Sequence, residues 1–208
     1  MSETADRIRA CATRLFADLG YAGTSVRAIC TAAGTNVNAV SYHFGGKQAL
    51  YEDIIARIGD DRLASAQRLL GEPPRDLADL ESRLQLFAEE TLAAHLDDPA
   101  PLIILFAEMQ QRFRNCDAAV IGSLGKHHEV LLGFLASARH RRMLRKGIDI
   151  DIVAGSLLER LNNQVHYAEF IEANYGTSIR VPKYRRHWVR QTIEMLLFGI
   201  ARVPLEDS

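Results

Sequence analysis

Apolar residues return every three or four positions through nearly the whole of this 208-residue chain, and nowhere do they settle into the strict alternation of a strand. That rhythm gathers the apolar side chains on one stripe of a helix, and each stripe has to be buried against another. It predicts an all-helical (all-α) fold of about nine helices. Ile8, Cys11, Ala12, Leu15, Phe16 and Leu19 mark a first amphipathic helix from Thr4 to Leu19, stopped by Gly20. A shorter helix, capped by Thr24 or Ser25, is expected to run through Val26 and Ile29 to about Ala33, with Gly34 ending it. Asn36 is expected to cap a third that ends near Phe44, before Gly45-Gly46.

The run "KQALYEDIIARIGDDRLASAQRLL" keeps helical periodicity from Lys47 to Leu70, 24 residues, about 36 Å of helix and enough to bridge two halves of a molecule. Beyond it, "GEPPRD", "DDPAP", the Asn115-Cys116-Asp117 region, "RKGIDID" and "NYGTSIRVPKY" interrupt the pattern. They leave helical stretches at about 76–96, 102–113, 117–141, 150–173 and 183–202. No repeat of fixed period and no low-complexity tract is present.

The segment from Thr24 to Tyr51 raises a functional question. On a helical wheel at about 100° per residue, Val40 and Phe44 share one side of the third helix with Val37 close by, while Asn38 and Tyr42 point nearly opposite, flanked by Ser41 and Ala39. A small helix docked by one face and showing Asn, Ser and Tyr on the other suits a major groove, which admits one α-helix. Two short helices joined by a tight glycine-containing turn make a helix-turn-helix, whose second helix reads the groove while the first crosses the backbone. Residues 1–50 hold five basic side chains against three acidic ones, and the rest of the chain is net −3. The mildly positive head fits an anionic partner.

Residues 5–51 resemble the DNA-binding domain of TetR-family transcriptional regulators: "CATRLFADLGYAGTSVRAI", Ala33-Gly34 at the turn, and "VSYHFGGKQALY" follow the family's wording. The resemblance implies a three-helix helix-turn-helix DNA-binding domain over residues 1–47 and a helical regulatory and dimerisation domain over 48–208. It implies DNA contacts at Thr35, Asn36, Asn38, Ser41 and Tyr42 in the recognition helix, and phosphate contacts at Thr24, Ser25, Arg27, His43 and Lys47. Val37 stands where many members have Lys and Ser41 where many have Tyr, so base preference does not carry over.

The resemblance further implies a homodimer through the C-terminal helices on a double-stranded DNA operator, and an unknown small-molecule effector. The C-terminal run "HWVRQTIEMLLFGIARV" is apolar on more than one face, as a helix serving both its own core and a partner would be. Polar or aromatic groups in otherwise apolar helices, namely Glu108, Met109, Arg112, Phe113, Asn162, His166, Tyr167 and Phe170, are candidates for lining an effector pocket. Each has a plainer reading, as a hydrogen-bonded core or interface group or, for Glu108 with Arg112, as an i, i+4 ion pair. The function implied is a sequence-specific repressor released by its effector. An all-helical enzyme, a protein-binding adaptor, or a TetR-like DNA binder without a ligand are the alternatives.

Other chemistry finds no footing. Gly45-Gly46-Lys47 lacks the first glycine of a phosphate loop, because Ser41 stands there, and Gln48 replaces its Ser/Thr. His127-His128-Glu129 lacks the second histidine of a zinc-protease pattern. Neither a catalytic residue, a metal site nor a cofactor is expected. Cys11, Cys30 and Cys116 form no pairable set, and no run approaches the roughly 20 apolar residues of a membrane span, so a reducing cytoplasm is expected.

Overall fold

The computed structural model describes residues 2–199, and among them the fold is helical throughout. Ten helices follow in order: α1 (Glu3–Gly23), α2 (Val26–Ala32), α3 (Ala39–Phe44), α4 (Lys47–Leu70), α5 (Leu77–Asp97), α6 (Ala100–Gln110), α7 (Ala118–His140), α8 (Ile150–His166), α9 (Ala168–Tyr175) and α10 (Pro182–Phe198). The additional helix comes from the 150–173 stretch, which breaks at Tyr167 into α8 and α9. The last expected helix extends to 202, and its final residues, Ile200 among them, lie outside the described residues.

Of the described residues, those up to Ala66 together with Ala94–Glu129 form one compact unit, and Gln67–Ala93 together with those from Val130 onward form another. In the first, Ile8, Ala12 and Phe16 of α1, Ile29 and Cys30 of α2, Val40 of α3, and Leu50, Tyr51, Ile54 and Ile55 of α4 make one buried cluster with Ile104 and Leu105 of α6. Phe16 and Tyr51 meet edge to face in it at 4.7 Å between ring centroids, and the half-buried Tyr21 packs against both. In the second unit, Leu80, Leu84, Phe87, Leu131, Phe134, Leu157, Leu161, Val189 and Ile193 are buried. There the Arg83 guanidinium lies 4.6 Å from the Phe134 ring centroid while its Nε donates to the Leu69 carbonyl at 2.7 Å.

One polar network sits inside the first unit. Glu108 is fully buried, and its carboxylate accepts from the Tyr51 hydroxyl at 2.7 Å and the Asn115 amide at 2.9 Å, with Cys116 Sγ at 3.7 Å. Burial, and then the Glu108 carboxylate, pushes the Tyr51 hydroxyl above its usual range and the Cys116 thiol up to about 12. The thiol is therefore held protonated at neutral pH.

Candidate nucleic-acid interface

The local chemistry of the head explains how α3 is held. Gly20 adopts φ 70°, a left-handed value that ends the first helical run where the sequence placed its stop. Thr24 folds back on that stop: its hydroxyl donates to the Leu15 and Gly20 carbonyls at 3.0 and 2.8 Å, and it is only 1% exposed. Ser25 caps α2, its Oγ accepting from the Ala28 N–H at 3.1 Å. After α2, the Thr35 N–H reaches back to the Cys30 carbonyl at 2.9 Å across Gly34 at φ 62°, and Arg7 Nε donates to the Ala33 carbonyl at 2.8 Å. Those bonds close the turn and satisfy the carbonyls at the end of α2.

Two expectations for the third helix are corrected. Asn36 is not its cap; its Oδ1 accepts from the Asn38 N–H at 2.9 Å in an Asx turn, and α3 begins only at Ala39. Val37 consequently lies ahead of the helix and is 53% exposed instead of docked, leaving Val40 to anchor α3 with Phe44 packed against the same cluster. Gly45 at φ 84° then ends α3, its N–H donating to the Ser41 carbonyl at 3.0 Å.

Arg9 fixes where α3 and α4 sit. Nearly buried, it donates to Asp53 of α4 at 2.6 Å and Asp6 of its own helix at 2.7 Å, and its guanidinium lies 5.3 Å from the Phe44 ring centroid. At the start of α4, Lys47 Nζ stands 4.2 Å from the Tyr21 ring centroid, and burial pulls its pKa below the usual lysine value. The neighbouring Gln48 donates to the Asn115 carbonyl at 2.8 Å.

On the outer flank, Tyr42 is 84% exposed with its ring edge-on to His43, and Asn36, Asn38 and Ser41 are exposed beside it. Ser25 and Arg27 are exposed on α2; Thr35, His43 and Lys47 are half-buried. The structure thus brings nine of the ten expected DNA-facing residues to the surface of the head. Thr24 is the exception, because its hydroxyl is spent on the carbonyls of the preceding helix. Asp53 and Arg9, which hold α3 and α4 from behind, show in the sequence only as charges interrupting two apolar stripes.

The eight candidate pocket residues divide between the two units. Glu108, Met109, Arg112 and Phe113 belong to the first unit, and Asn162, His166, Tyr167 and Phe170 to the second. Helix α6 stops at Gln110, and Arg112 and Phe113 take left-handed φ values of 56° and 54° in the turn beyond it, so the i, i+4 pairing of Arg112 with Glu108 does not form. Glu108 is occupied by Tyr51 and Asn115. In the second unit His166, Tyr167 and Phe170 are exposed around the α8–α9 break. A cleft of about 400 Å³ there, between Gln67, Leu70, Pro73, Val130, Phe134 and Ser137, is lined by none of the eight. No group of three or more potential metal ligands, and no helix long and apolar enough to cross a membrane, occurs among the described residues.

Comparison with known proteins places this geometry. Residues 8–54 match the family model of bacterial regulatory proteins of the tetR family. The HTH-type transcriptional repressor Rv3405c of Mycobacterium tuberculosis (strain ATCC 25618 / H37Rv) is 32% identical over 146 residues, 70% of this chain and 71% of that one. Among solved structures, the TetR family transcriptional regulator PfmR of Thermus thermophilus superposes with a TM-score of 0.75 at 20% identity, covering 98% of this chain and all of the other. The regulator FadR of Bacillus subtilis, solved in complex with stearoyl-CoA, gives 0.69 at 14% identity over 94% of this chain and 99% of that one.

Proposed function

Because the chain belongs to the TetR family of bacterial regulatory proteins and is a DNA-binding transcriptional regulator, not an enzyme, we propose that it is a homodimeric cytoplasmic repressor that lays the exposed flank of α3 in the major groove of its operator and is released by a small molecule. The observation that carries this reading is the outward flank of Asn38, Ser41 and Tyr42 on a helix anchored from behind by Val40 and Phe44. Asn36, Asn38, Ser41 and Tyr42, with Thr35 at the approach to the helix, are assigned to base edges and adjacent sugar-phosphate; Ser25, Arg27, His43 and Lys47 are assigned to phosphates. Residues 1–47 are taken as the DNA-binding head and 48–208 as the regulatory and dimerising body.

One such head reads only a few base pairs, and two are needed about 34–36 Å apart to engage one face of a duplex. Helices α8 and α10 are assigned to the dimer contact. Ile152 and Phe198 are exposed on them although each is large and apolar, in addition to the buried Leu157, Leu161, Val189 and Ile193. For the effector, the likeness to FadR, which was solved with stearoyl-CoA, favours an acyl-CoA-like molecule. Differential binding of such a ligand to one conformation of the body, at a coupling of about 1–3 kcal/mol, lowers operator affinity roughly 5- to 150-fold.

Sedimentation of the full chain with a fluorescent duplex taken from beside its own coding region tests the reading. Two chains per duplex are expected, with log affinity falling linearly as log salt rises, because phosphate neutralisation releases counterions. A complex of one chain per duplex, or affinity indifferent to salt, would overturn it.

A further inference from the structure

The first unit contains a half-buried cation, Arg62, away from the DNA-facing surface. Helices α4 and α7 meet at Gly59 and Ser123, so closely that a Cβ on Gly59 would stand 3.0 Å from Ser123 Oγ and 3.2 Å from its carbonyl oxygen. One turn further along each helix on the same face lie Arg62 and His127. Arg62 Nη2 is sealed from solvent and has no hydrogen-bond partner, while a buried guanidinium is ordinarily forked onto a carboxylate. His127 donates from Nδ1 to the Leu124 carbonyl at 2.7 Å, which fixes the tautomer and leaves Nε2 unprotonated. Burial lowers the Arg62 pKa to about 10; burial, then the Arg62 charge, then His128, lower that of His127 to about 4.

An unneutralised guanidinium in this position costs stability, and the helix that carries it also carries Leu50, Tyr51, Ile54 and Ile55 into the core beneath α3. Arg62 lies fifteen residues from Lys47 on α4, about 22 Å along the helix. We propose that Arg62, flanked by His127, is the seat of an anionic group of the effector, a carboxylate or a phosphate. The assignment rests on the effector-released regulator proposed above and names the chemistry its ligand must present. An anion drawn onto Nη2 neutralises the guanidinium and so acts on α4, the helix whose first turn helps form the DNA-facing surface.

Titration calorimetry of the full-length protein with octanoate, octanoyl-CoA and octanol compares a carboxylate, phosphates and no charge on one alkyl chain. At least one anion is expected to bind roughly tenfold more tightly than octanol; octanoate in front assigns a carboxylate, octanoyl-CoA alone a phosphate. Arg62→Met is expected to erase that preference and to raise Tm by about 2–4 °C, because the unneutralised charge is gone. Equal binding of all three probes, binding of none, a preference that survives in Arg62→Met, or a Tm that falls in that variant would each overturn the assignment. Failure of the wild-type chain to bind duplex sinks the regulator reading instead, whereas an absent anion preference with duplex binding intact sinks only the role of Arg62.

Discussion

Replacing Asn38 or Tyr42 by Ala is expected to weaken operator binding by about 1–3 kcal/mol for each good bond to a base edge that is removed, some 5- to 150-fold, while the thermal transition stays where it was. The two halves of that expectation come from the same geometry. Tyr42 is 84% exposed and Asn38 makes no side-chain cap bond to α3, so removing either leaves no cavity and no orphaned buried partner. Fluorescence anisotropy of a labelled operator duplex, with a melting curve of each variant, measures both. If both variants bind as tightly as wild type, α3 is not the reading helix; if they melt early, the weakened binding is indirect.

Glu108→Ala is expected to do the reverse, destabilising the chain by about 3 kcal/mol, or roughly 6–12 °C in Tm. The substitution leaves a space inside the first unit and strips the buried Tyr51 hydroxyl of the acceptor 2.7 Å away. Asn115 is deprived of the same oxygen. Glu108→Gln fills the space and retains an acceptor, so it is expected to give back more than half of the stability. A Glu108→Ala protein with unchanged Tm would mean that the carboxylate does not hold the network together, and would return Glu108 to the residues available for a ligand.

What the sequence disclosed and what it withheld divide along a physical line. Periodicity over many residues is a robust signal, and the helix from Lys47 to Leu70 falls where the apolar rhythm placed it. Single polar residues are poorer guides, because one side chain can serve several bonds. Thr24 looks like a cap and a phosphate contact, yet its hydroxyl turns back on Leu15 and Gly20. Asn36 has the chemistry of an N-cap but spends it on an Asx turn, which shifts the start of α3 and exposes Val37. The 150–173 stretch is periodic enough to read as one helix although the backbone breaks at Tyr167.

Glu108 is the instructive case. A lone acid in "APLIILFAEMQ" announces that something must neutralise or bond it, and the pattern alone leaves open whether a ligand or the protein does so. Its partners, Tyr51 and Asn115, are 57 and 7 residues away in the chain, the first brought in only by the packing of α4. Arg62 poses the same puzzle in reverse. It stands in a charged stretch, "GDDRLASAQR", yet its Nη2 is out of reach of water.

Hydroxyl-radical footprinting of the side chains, with and without a duplex from beside the coding region, tests most directly that the outer flank of α3 is covered by DNA when the protein works. Tyr42 and Tyr175 are both strongly exposed, at 84% and 70%, and lie in different units, so each protein sample carries its own control. Labelling of Tyr42 is expected to fall severalfold on saturation with duplex while Tyr175 keeps its rate. Equal labelling of Tyr42 in the free and saturated states would contradict the account.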